Sequence, residues 1–175
     1  MFETADDLLR LQRLLDESYV AAGGHLQKVI TPDRRHSAAE LATMLTGMRL
    51  LVLATVTSDG RPIAGPVDGI FLRGSFHFGS ATDSLRLRHL RKRSAVSATH
   101  LPGEELSVTV HGDAEELDMK AAVNCDFRQA LLDIYVPRYG AEWESFLDSG
   151  SSYARINAHR MFTFSMPELA LSGSH

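Results

Sequence analysis

Three strand-like segments follow one another between Arg49 and Ser80, with only short turns between them. The first, LLVLATVT, ends at the hairpin signal Ser58-Asp59-Gly60; the second, RPIAGPVDGIFL, ends at Arg73-Gly74; and the third is SFHFGS. Turn signals this close together predict hairpins, in which neighbouring strands run antiparallel. This block therefore predicts an antiparallel sheet.

Helical spacing flanks and interrupts these strands. A first helix is predicted from Thr4 to about Ala22, ended by Gly23-Gly24, and a second begins at Ser37, where Ser37-Ala-Ala-Glu40 forms a capping box. Further predictions are a loop over 30–36, helices over 82–93 and 119–135, a hairpin around Pro102-Gly103, a shorter helical or irregular piece over 137–148 and a final strand, YARINAHRMFTFSM. This order predicts an α+β fold whose mainly antiparallel sheet is closed or nearly closed.

Composition limits the classes of partner. The 175 residues fit one domain, and a net charge of −4 gives no overall attraction to nucleic acid or to an anionic membrane. The basic run LRLRHLRKR lacks interleaved aromatic residues, so we expect no nucleic-acid partner. No apolar run approaches the roughly 20 residues of a spanning helix. The single cysteine, Cys125, is expected to be a buried, inert thiol, and it suits a reduced, cytoplasmic location.

The second strand carries residues that weaken a sheet. Pro62 and Pro66 lack backbone donors, and Gly65 and Gly69 lack side chains. Such residues occur on irregular edge strands, and glycines also allow another backbone or a ligand to approach closely. Two interpretations remain open: an irregular edge strand, or a strand against which a flat ligand lies.

A helix start follows the third strand. Thr82, Asp83 or Ser84 can cap it, and Arg86 lies in its first turn. Free N–H groups at a helix start, together with a serine hydroxyl and an arginine, suit a phosphate group. Capping and a solvated charged face would explain the same residues without a ligand.

The block ATVTSDGRPIAGPVDG…GSFHFGSATDSLRLRHLRKRSAVS resembles the flavin-binding split barrels related to pyridoxamine 5′-phosphate oxidase. Their shared pattern is a strand, a Gly-x-Pro hairpin, a Phe-containing strand that ends in a small hydroxyl residue, Ser-x-Lys/Arg with a Leu, and then a Val-Ser that opens the next strand. The resemblance runs from about Leu45 to Leu117 and resumes weakly from Tyr153 to Phe164. It implies a split β-barrel flanked by helices over 49–167, with residues 1–48 as an N-terminal helical extension packed on it.

The resemblance also implies a cofactor and its contacts. The ring of FMN, or of a deazaflavin coenzyme with a longer phosphorylated tail, is expected along the second strand, and its phosphate at the following helix start. The implied cofactor-binding residues are Ala64, Gly65, Pro66, Val67, Asp68, Gly79, Ser80, Ser84, Leu85 and Arg86. Such barrels are usually homodimers with the cofactor wedged between the subunits.

One departure from the family bears on the substrate. In pyridoxamine phosphate oxidases the last strand ends with Trp and is followed by a basic Arg-x-His-Asp-Arg segment, whereas Phe164 stands here and the chain continues SMPELALSGSH. His175 is too isolated to replace the missing basic residues. We therefore expect the fold and the cofactor to carry over, but not the vitamin substrate.

Other candidate residues have both structural and functional interpretations. The eight histidines show no metal-ligand spacing, so no metal site is predicted. Tyr135, Tyr139 and Trp143 could line a substrate pocket, although packing is the favoured interpretation. Arg155 and Arg160 are expected in surface ion pairs rather than at a cofactor tail. No acid–base residue stands out, and a flavin needs none for hydride transfer.

The sequence thus favours an FMN-dependent oxidoreductase that acts on a small molecule as a homodimer. A deazaflavin-dependent reductase of the same fold is the first alternative. The second is a non-catalytic protein that binds FMN or haem for storage, transport or sensing.

Overall fold

Six strands form the centre of the computed structural model, which describes residues 3–147 and 149–166. The last residue of the expected barrel region, 167, and the tail up to His175 lie outside these described residues. The strands are β1 Met48–Val56, β2 Pro62–Leu72, β3 Ser75–Ala81, β4 Ala95–Gly103, β5 Leu106–Leu117 and β6 Ser151–Ser165. The helices are α1 Ala5–Val20, α2 Gly24–Val29, α3 Ala38–Met44, α4 Leu85–Lys92, α5 Cys125–Tyr139 and α6 Trp143–Leu147.

The strands close into an antiparallel barrel in the order β1-β2-β3-β6-β5-β4. A short pairing between β1 and β4, in which Val52 lies opposite Thr99, completes the ring. Because the helices surround this barrel rather than alternate with parallel strands, the α+β, antiparallel split-barrel prediction is confirmed.

Strand β2 has a partner on both sides along only part of its length. It pairs with β1 from Pro62 to Ile70, but with β3 only from Gly69 to Leu72. The stretch 62–68 is therefore an edge, although its strand lies inside a closed barrel. Both prolines fall in this edge stretch, where a missing N–H interrupts no ladder with β3.

The N-terminal helices share the core of the barrel. Thr4 caps α1 through a capping box with Asp7, and α1 then buries Leu11 and Leu15 in the same cluster as the barrel residue Phe76. Tyr19 of α1 hydrogen-bonds to β6: its hydroxyl accepts from the backbone N–H of Thr163 at 2.9 Å. The division into an extension over 1–48 and a barrel over 49–167 stays a prediction, although α1 packs on β6.

Some local predictions differ from the structure. Helix α1 ends at Val20, close to the predicted Ala22 and before Gly23-Gly24, but Gly24 begins the short helix α2, and the predicted loop over 30–36 contains a 3-10 turn, Pro32–Arg34. The helix predicted over 119–135 begins later, at Cys125, after the 3-10 turn Ala122–Asn124. Cys125 therefore lies at a helix start rather than in its interior, and its side chain is exposed instead of buried.

Removal of the Tyr19 hydroxyl should lower the stability of the fold. Tyr19→Phe should lower the free energy of unfolding by about 1–3 kcal/mol, because the buried N–H of Thr163 loses its acceptor. Urea unfolding measures this change. Tyr139→Phe is the matched control: Tyr139 is 57% exposed, and its substitution should change stability by less than about 0.5 kcal/mol. Equal stabilities for the two variants would contradict the assigned role of Tyr19.

Candidate functional site

Arg86 lies in the opening between β2 and β3. One guanidinium nitrogen, Nη1, donates to the hydroxyl of Ser80 at 3.3 Å, and the other, Nη2, donates to the carbonyl of Pro66 at 3.3 Å. Ser80 in turn donates to Ser84, the N-cap of α4, at 3.0 Å. The side chain of Arg86 thus bridges the two strands at the place where their ladder has ended.

The charge of Arg86 is not neutralised by the described part of the chain. Both of its hydrogen-bond acceptors are uncharged, and none of the described carboxylates forms an ion pair with it. Partial burial lowers its pKa from the ordinary arginine value, which still leaves the guanidinium protonated at neutral pH. A partly desolvated cation without a counter-ion is a binding site for an anion.

Gly65 keeps the space beside this guanidinium open. A Cβ atom at Gly65 would lie 3.2 Å from Nη2 of Arg86, closer than side chains normally pack. The space is a groove of about 280 Å³, hereafter the β2–α4 groove. Its lining residues are Leu53, Thr55, Ile63, Ala64, Gly65, Ser84, Leu85, Arg86 and His89.

A second cavity lies across β3, between the barrel and the helices α5 and α6. It has a volume of about 370 Å³ and is hereafter the aromatic pocket. Tyr135 stacks on Trp143 with ring centroids 4.5 Å apart, and on Tyr139 at 6.0 Å. The lining residues are Asp68, Ile70, His77, Phe78, Gly79, Ser80, Ala81, Phe127, Leu131, Tyr135, Tyr139, Trp143, Phe146, Ser151 and Tyr153.

Asp68 joins this pocket to β2. The hydroxyl of Tyr135 donates to Oδ2 of Asp68 at 2.9 Å, which connects α5 to β2. Burial first, and the hydrogen bond to Asp68 second, raise the pKa of Tyr135 above the ordinary tyrosine value. Tyr135 therefore stays a neutral donor, and the carboxylate of Asp68 keeps a fixed position.

His77 forms an uncharged part of the pocket wall. Its ring stacks on Phe127 with centroids 4.5 Å apart, and its Nδ1 lies 3.1 Å from the carbonyl of Ser75. Burial lowers the pKa of His77 to about 4, so the imidazole is neutral at physiological pH. The neighbouring Gly79 admits the ring of Tyr153, which a Cβ atom at that position would meet at 2.8 Å.

The ten residues implied by the family resemblance divide between these two cavities. Those that line the β2–α4 groove are Ala64, Gly65, Ser84, Leu85 and Arg86, and those that line the aromatic pocket are Asp68, Gly79 and Ser80. Pro66 contributes its carbonyl to Arg86. Val67 is 7% exposed and belongs to the barrel core, so only its backbone could contact a ligand. Ser80 lines one cavity and contacts the charged residue of the other.

Several residues that line the aromatic pocket were not predicted from the sequence to do so. Tyr135, Tyr139 and Trp143 were assigned to packing; they do stack on one another, and they also line the cavity. His77 and Tyr153 were not singled out at all. A histidine between two phenylalanines in SFHFGS was the available signal for His77, because alternate strand residues face opposite sides.

The remaining candidates line neither of the two cavities. Arg155 pairs with Glu115 at 2.8 Å, as expected of a surface ion pair. Arg160 donates instead to the backbone carbonyl of its neighbour His159. The described residues contain no cluster of three or more potential metal ligands. In the same part of the chain, none of the helices has the length and apolar character needed to cross a membrane.

Comparison with known proteins gives information on the fold alone. Neither a protein-family model nor a curated protein matches the sequence. Among solved structures, a conserved hypothetical protein from Mycobacterium tuberculosis is similar with a TM-score of 0.63 and 20% identity, over 82% of this chain and 97% of that one. The haem storage protein HutZ from Vibrio cholerae is similar with a TM-score of 0.58 and 17% identity, over 73% and 92% of the two chains.

A flavin protein is similar to the same degree. The FAD-binding protein from Mesorhizobium loti has a TM-score of 0.56 and 22% identity, over 74% of this chain and 93% of that one. These similarities extend over 73–82% of this chain, so the resemblance stated from the sequence is confirmed at the level of the fold. The chain has the split-barrel architecture of the flavin- and haem-binding proteins related to pyridoxamine 5′-phosphate oxidase.

Proposed function

We propose that the protein is a flavin-dependent oxidoreductase that binds its phosphorylated cofactor in the β2–α4 groove. The observation that carries this proposal is the guanidinium of Arg86, which is partly buried and has no counter-ion among the described residues. It lies beside the capped start of α4, so the phosphate would meet Arg86, Ser84 and free backbone N–H groups together.

The residues present fit a planar ring next to that phosphate. The 62–68 stretch of β2 has an unpaired edge towards the opening, and Gly65 leaves it bare. A flat ring could lie along Ala64 to Asp68 and hydrogen-bond to backbone groups that no strand engages. The bound flavin would supply hydride chemistry, while the protein supplies position, charge and exclusion of water.

The aromatic pocket is the proposed place of the small-molecule substrate. Its lining residue Ser80 accepts a hydrogen bond from Arg86 of the β2–α4 groove, so the two cavities adjoin at Ser80. Its volume of about 370 Å³ lies in the range of small-molecule sites. Neither a lysine nor an arginine is among its described lining residues, which supports the expectation that pyridoxamine 5′-phosphate is not the substrate. We propose a cytoplasmic location, which suits a single, exposed thiol.

A deazaflavin coenzyme with a longer phosphorylated tail is the second candidate, and one observation favours it. Leu85 and His89 also line a neighbouring groove of about 670 Å³. That groove contains Arg61, Arg88 and Lys92, and the last two form no ion pair with the described residues. An anionic tail that continues past the phosphate would meet positive charge there.

Identification of the bound molecule tests the proposal. Purified protein should carry a flavin visible in its absorption spectrum, whose mass after gentle release identifies FMN. Uptake of deazaflavin but not of FMN would select the second candidate. A cofactor that neither dithionite nor a nicotinamide donor reduces would indicate a non-catalytic binder. Failure to bind either flavin would contradict the proposal.

Loss of the Arg86 charge should weaken the cofactor complex. Arg86→Ala is expected to reduce FMN affinity by about 1.5–3 kcal/mol, because a charged hydrogen bond to phosphate is lost. Quenching of flavin fluorescence on titration with the apoprotein measures the affinity. Arg160→Ala removes an equal charge on β6, outside the groove, and should leave the affinity unchanged. An Arg86→Ala variant with normal affinity would place the phosphate elsewhere.

A side chain at Gly65 should obstruct the ring without unfolding the barrel. Gly65→Val fills space on the open edge of β2, so we expect loss of flavin colour with unchanged far-UV circular dichroism. Gly24→Val is the control, since a Cβ atom there meets no neighbour within 4 Å. A Gly65→Val protein that retains the full flavin spectrum would contradict the position of the ring.

The cofactor groove also has an apolar rim that suits a second subunit. On β1, Leu50 and Val52 are 60% and 53% exposed, and their cross-strand neighbours on β2 are Asp68 and Pro66. Leu101 of β4 is also 60% exposed. Directly paired residues share a sheet face, so this apolar surface is continuous with the proposed ring site. We propose that a homodimer buries it and closes the groove.

A charge on this surface should separate the subunits. Val52→Glu is expected to convert a dimer into a monomer and to weaken flavin binding, because the groove loses its second wall. Light scattering coupled to size-exclusion chromatography measures the mass. Leu9→Glu, at a side chain 65% exposed on α1, is the control and should leave the mass unchanged. A wild-type protein that is monomeric with flavin bound would contradict the dimer.

A further inference from the structure

The aromatic pocket has a single formal charge on its described lining. Of its fifteen lining residues, Asp68 alone carries a charge at neutral pH. Tyr135 occupies Oδ2 of this carboxylate, and Oδ1 accepts no hydrogen bond from the described residues. A ligand in the pocket would therefore find one acceptor that is negative and available.

The other titratable groups of the pocket are neutral. Burial lowers the pKa of His77 to about 4 and raises the pKa of Tyr153 to about 12. Tyr135 is likewise held in its protonated form. Both histidine and tyrosines thus remain uncharged across the physiological range, and the negative charge of Asp68 is not offset by the pocket wall.

Three arginines lie near the pocket without lining it. Arg128 on α5 lies 3.6 Å from Glu144, and Arg155 on β6 lies 2.8 Å from Glu115, so these two are paired with acids. Arg86, to which the cofactor phosphate is assigned above, contacts the pocket through the hydroxyl of Ser80 at 3.3 Å. The carboxylate of Asp68 is not paired with a cation among the described residues.

The walls recognise flat groups and cations. Tyr139 and Phe146, 57% and 51% exposed, lie beside Trp143 at the mouth. Aromatic faces attract stacked rings and also cations placed over them, and desolvation strengthens the attraction to a cation. Aromatic walls together with one carboxylate are complementary to an aromatic molecule that carries a positive nitrogen.

We propose that the aromatic pocket selects a planar aromatic or heteroaromatic molecule with a protonated or N–H-donating nitrogen, which binds Oδ1 of Asp68, and that it rejects carboxylates and phosphates. The claim that such a molecule is the substrate rests on the proposed oxidoreductase function. The claim that the pocket binds such a molecule rests only on Asp68 and the aromatic walls.

The lone tryptophan of the chain reports directly on this pocket. Trp143 lines it and is the only tryptophan in the sequence, so its fluorescence can follow occupancy without a label. Phenethylamine and 3-phenylpropionate are suitable probes, because they share a phenyl ring and differ in charge. Titration of the flavin-free protein should give phenethylamine at least about tenfold tighter binding, in keeping with one close charge pair near the surface. Equal affinities, or tighter binding of 3-phenylpropionate, would overturn the proposal.

Two variants test whether Asp68 is the residue that makes the pocket selective. Asp68→Asn keeps the shape of the side chain and an oxygen for Tyr135, and it should bring the affinities for the two probes to within about threefold of each other. Asp133→Asn is the matched control: it removes an equal charge from an exposed position on α5 and should preserve the preference. A preference that survives in Asp68→Asn would overturn the role of Asp68.

Binding of the probes and binding of the cofactor are measured separately. If the protein takes up flavin but does not distinguish the two probes, the substrate class is wrong and the proposed function stands. If it prefers phenethylamine but binds no flavin, the pocket is assigned correctly and the oxidoreductase proposal fails.

Discussion

The divergence of β2 from β3 is the constraint on which the rest of the molecule depends. From Pro62 to Asp68, β2 does not pair with β3. Arg86 bridges the two strands there, because it donates to the carbonyl of Pro66 on β2 and to the hydroxyl of Ser80 on β3. The guanidinium that bridges the two strands brings a positive charge into the opening, and no described acid neutralises that charge. The gap in the barrel and the proposed anion site therefore meet at one residue, Arg86.

Local signals predicted this part of the structure well. Prolines at 62 and 66 indicated an edge as one of two open interpretations, and Ser84 was one of three candidate caps. The structure has an unpaired edge at 62–68 and Ser84 as the N-cap, because each of these features depends on a few adjacent residues. The aromatic pocket could not be predicted in the same way. Tyr135 and Asp68 are 67 residues apart, and only the packing of α5 against the barrel brings them together. The prediction that Cys125 is buried was wrong for a local reason. The 3-10 turn Ala122–Asn124 makes the helix begin at Cys125, where the side chain is exposed.

The similar structures limit what can be inferred about function from the fold. Proteins at 17–22% identity share this barrel, and among them one is described as a haem storage protein and another as FAD-binding. One architecture thus serves more than one ligand, so the fold alone does not choose between them. The choice rests on side chains. Arg86, Ser84 and Gly65 line a groove beside a bare strand edge, and we propose that this groove binds a phosphorylated planar cofactor.

The two cavities differ in charge, and two effects could make the aromatic pocket selective. The charge of Asp68 acts on both kinds of ligand, because it attracts an amine and repels a carboxylate; its side chain is exposed, and each such charge pair contributes about 0–1 kcal/mol. Desolvation acts on the excluded ligand: an anion that enters the pocket exchanges water for aromatic faces and neutral hydroxyl groups, without a cationic donor on the described walls. The charge of Asp68 and the neutral walls therefore act in the same direction, and together they would keep the phosphorylated end of the proposed cofactor on the Arg86 side of Ser80.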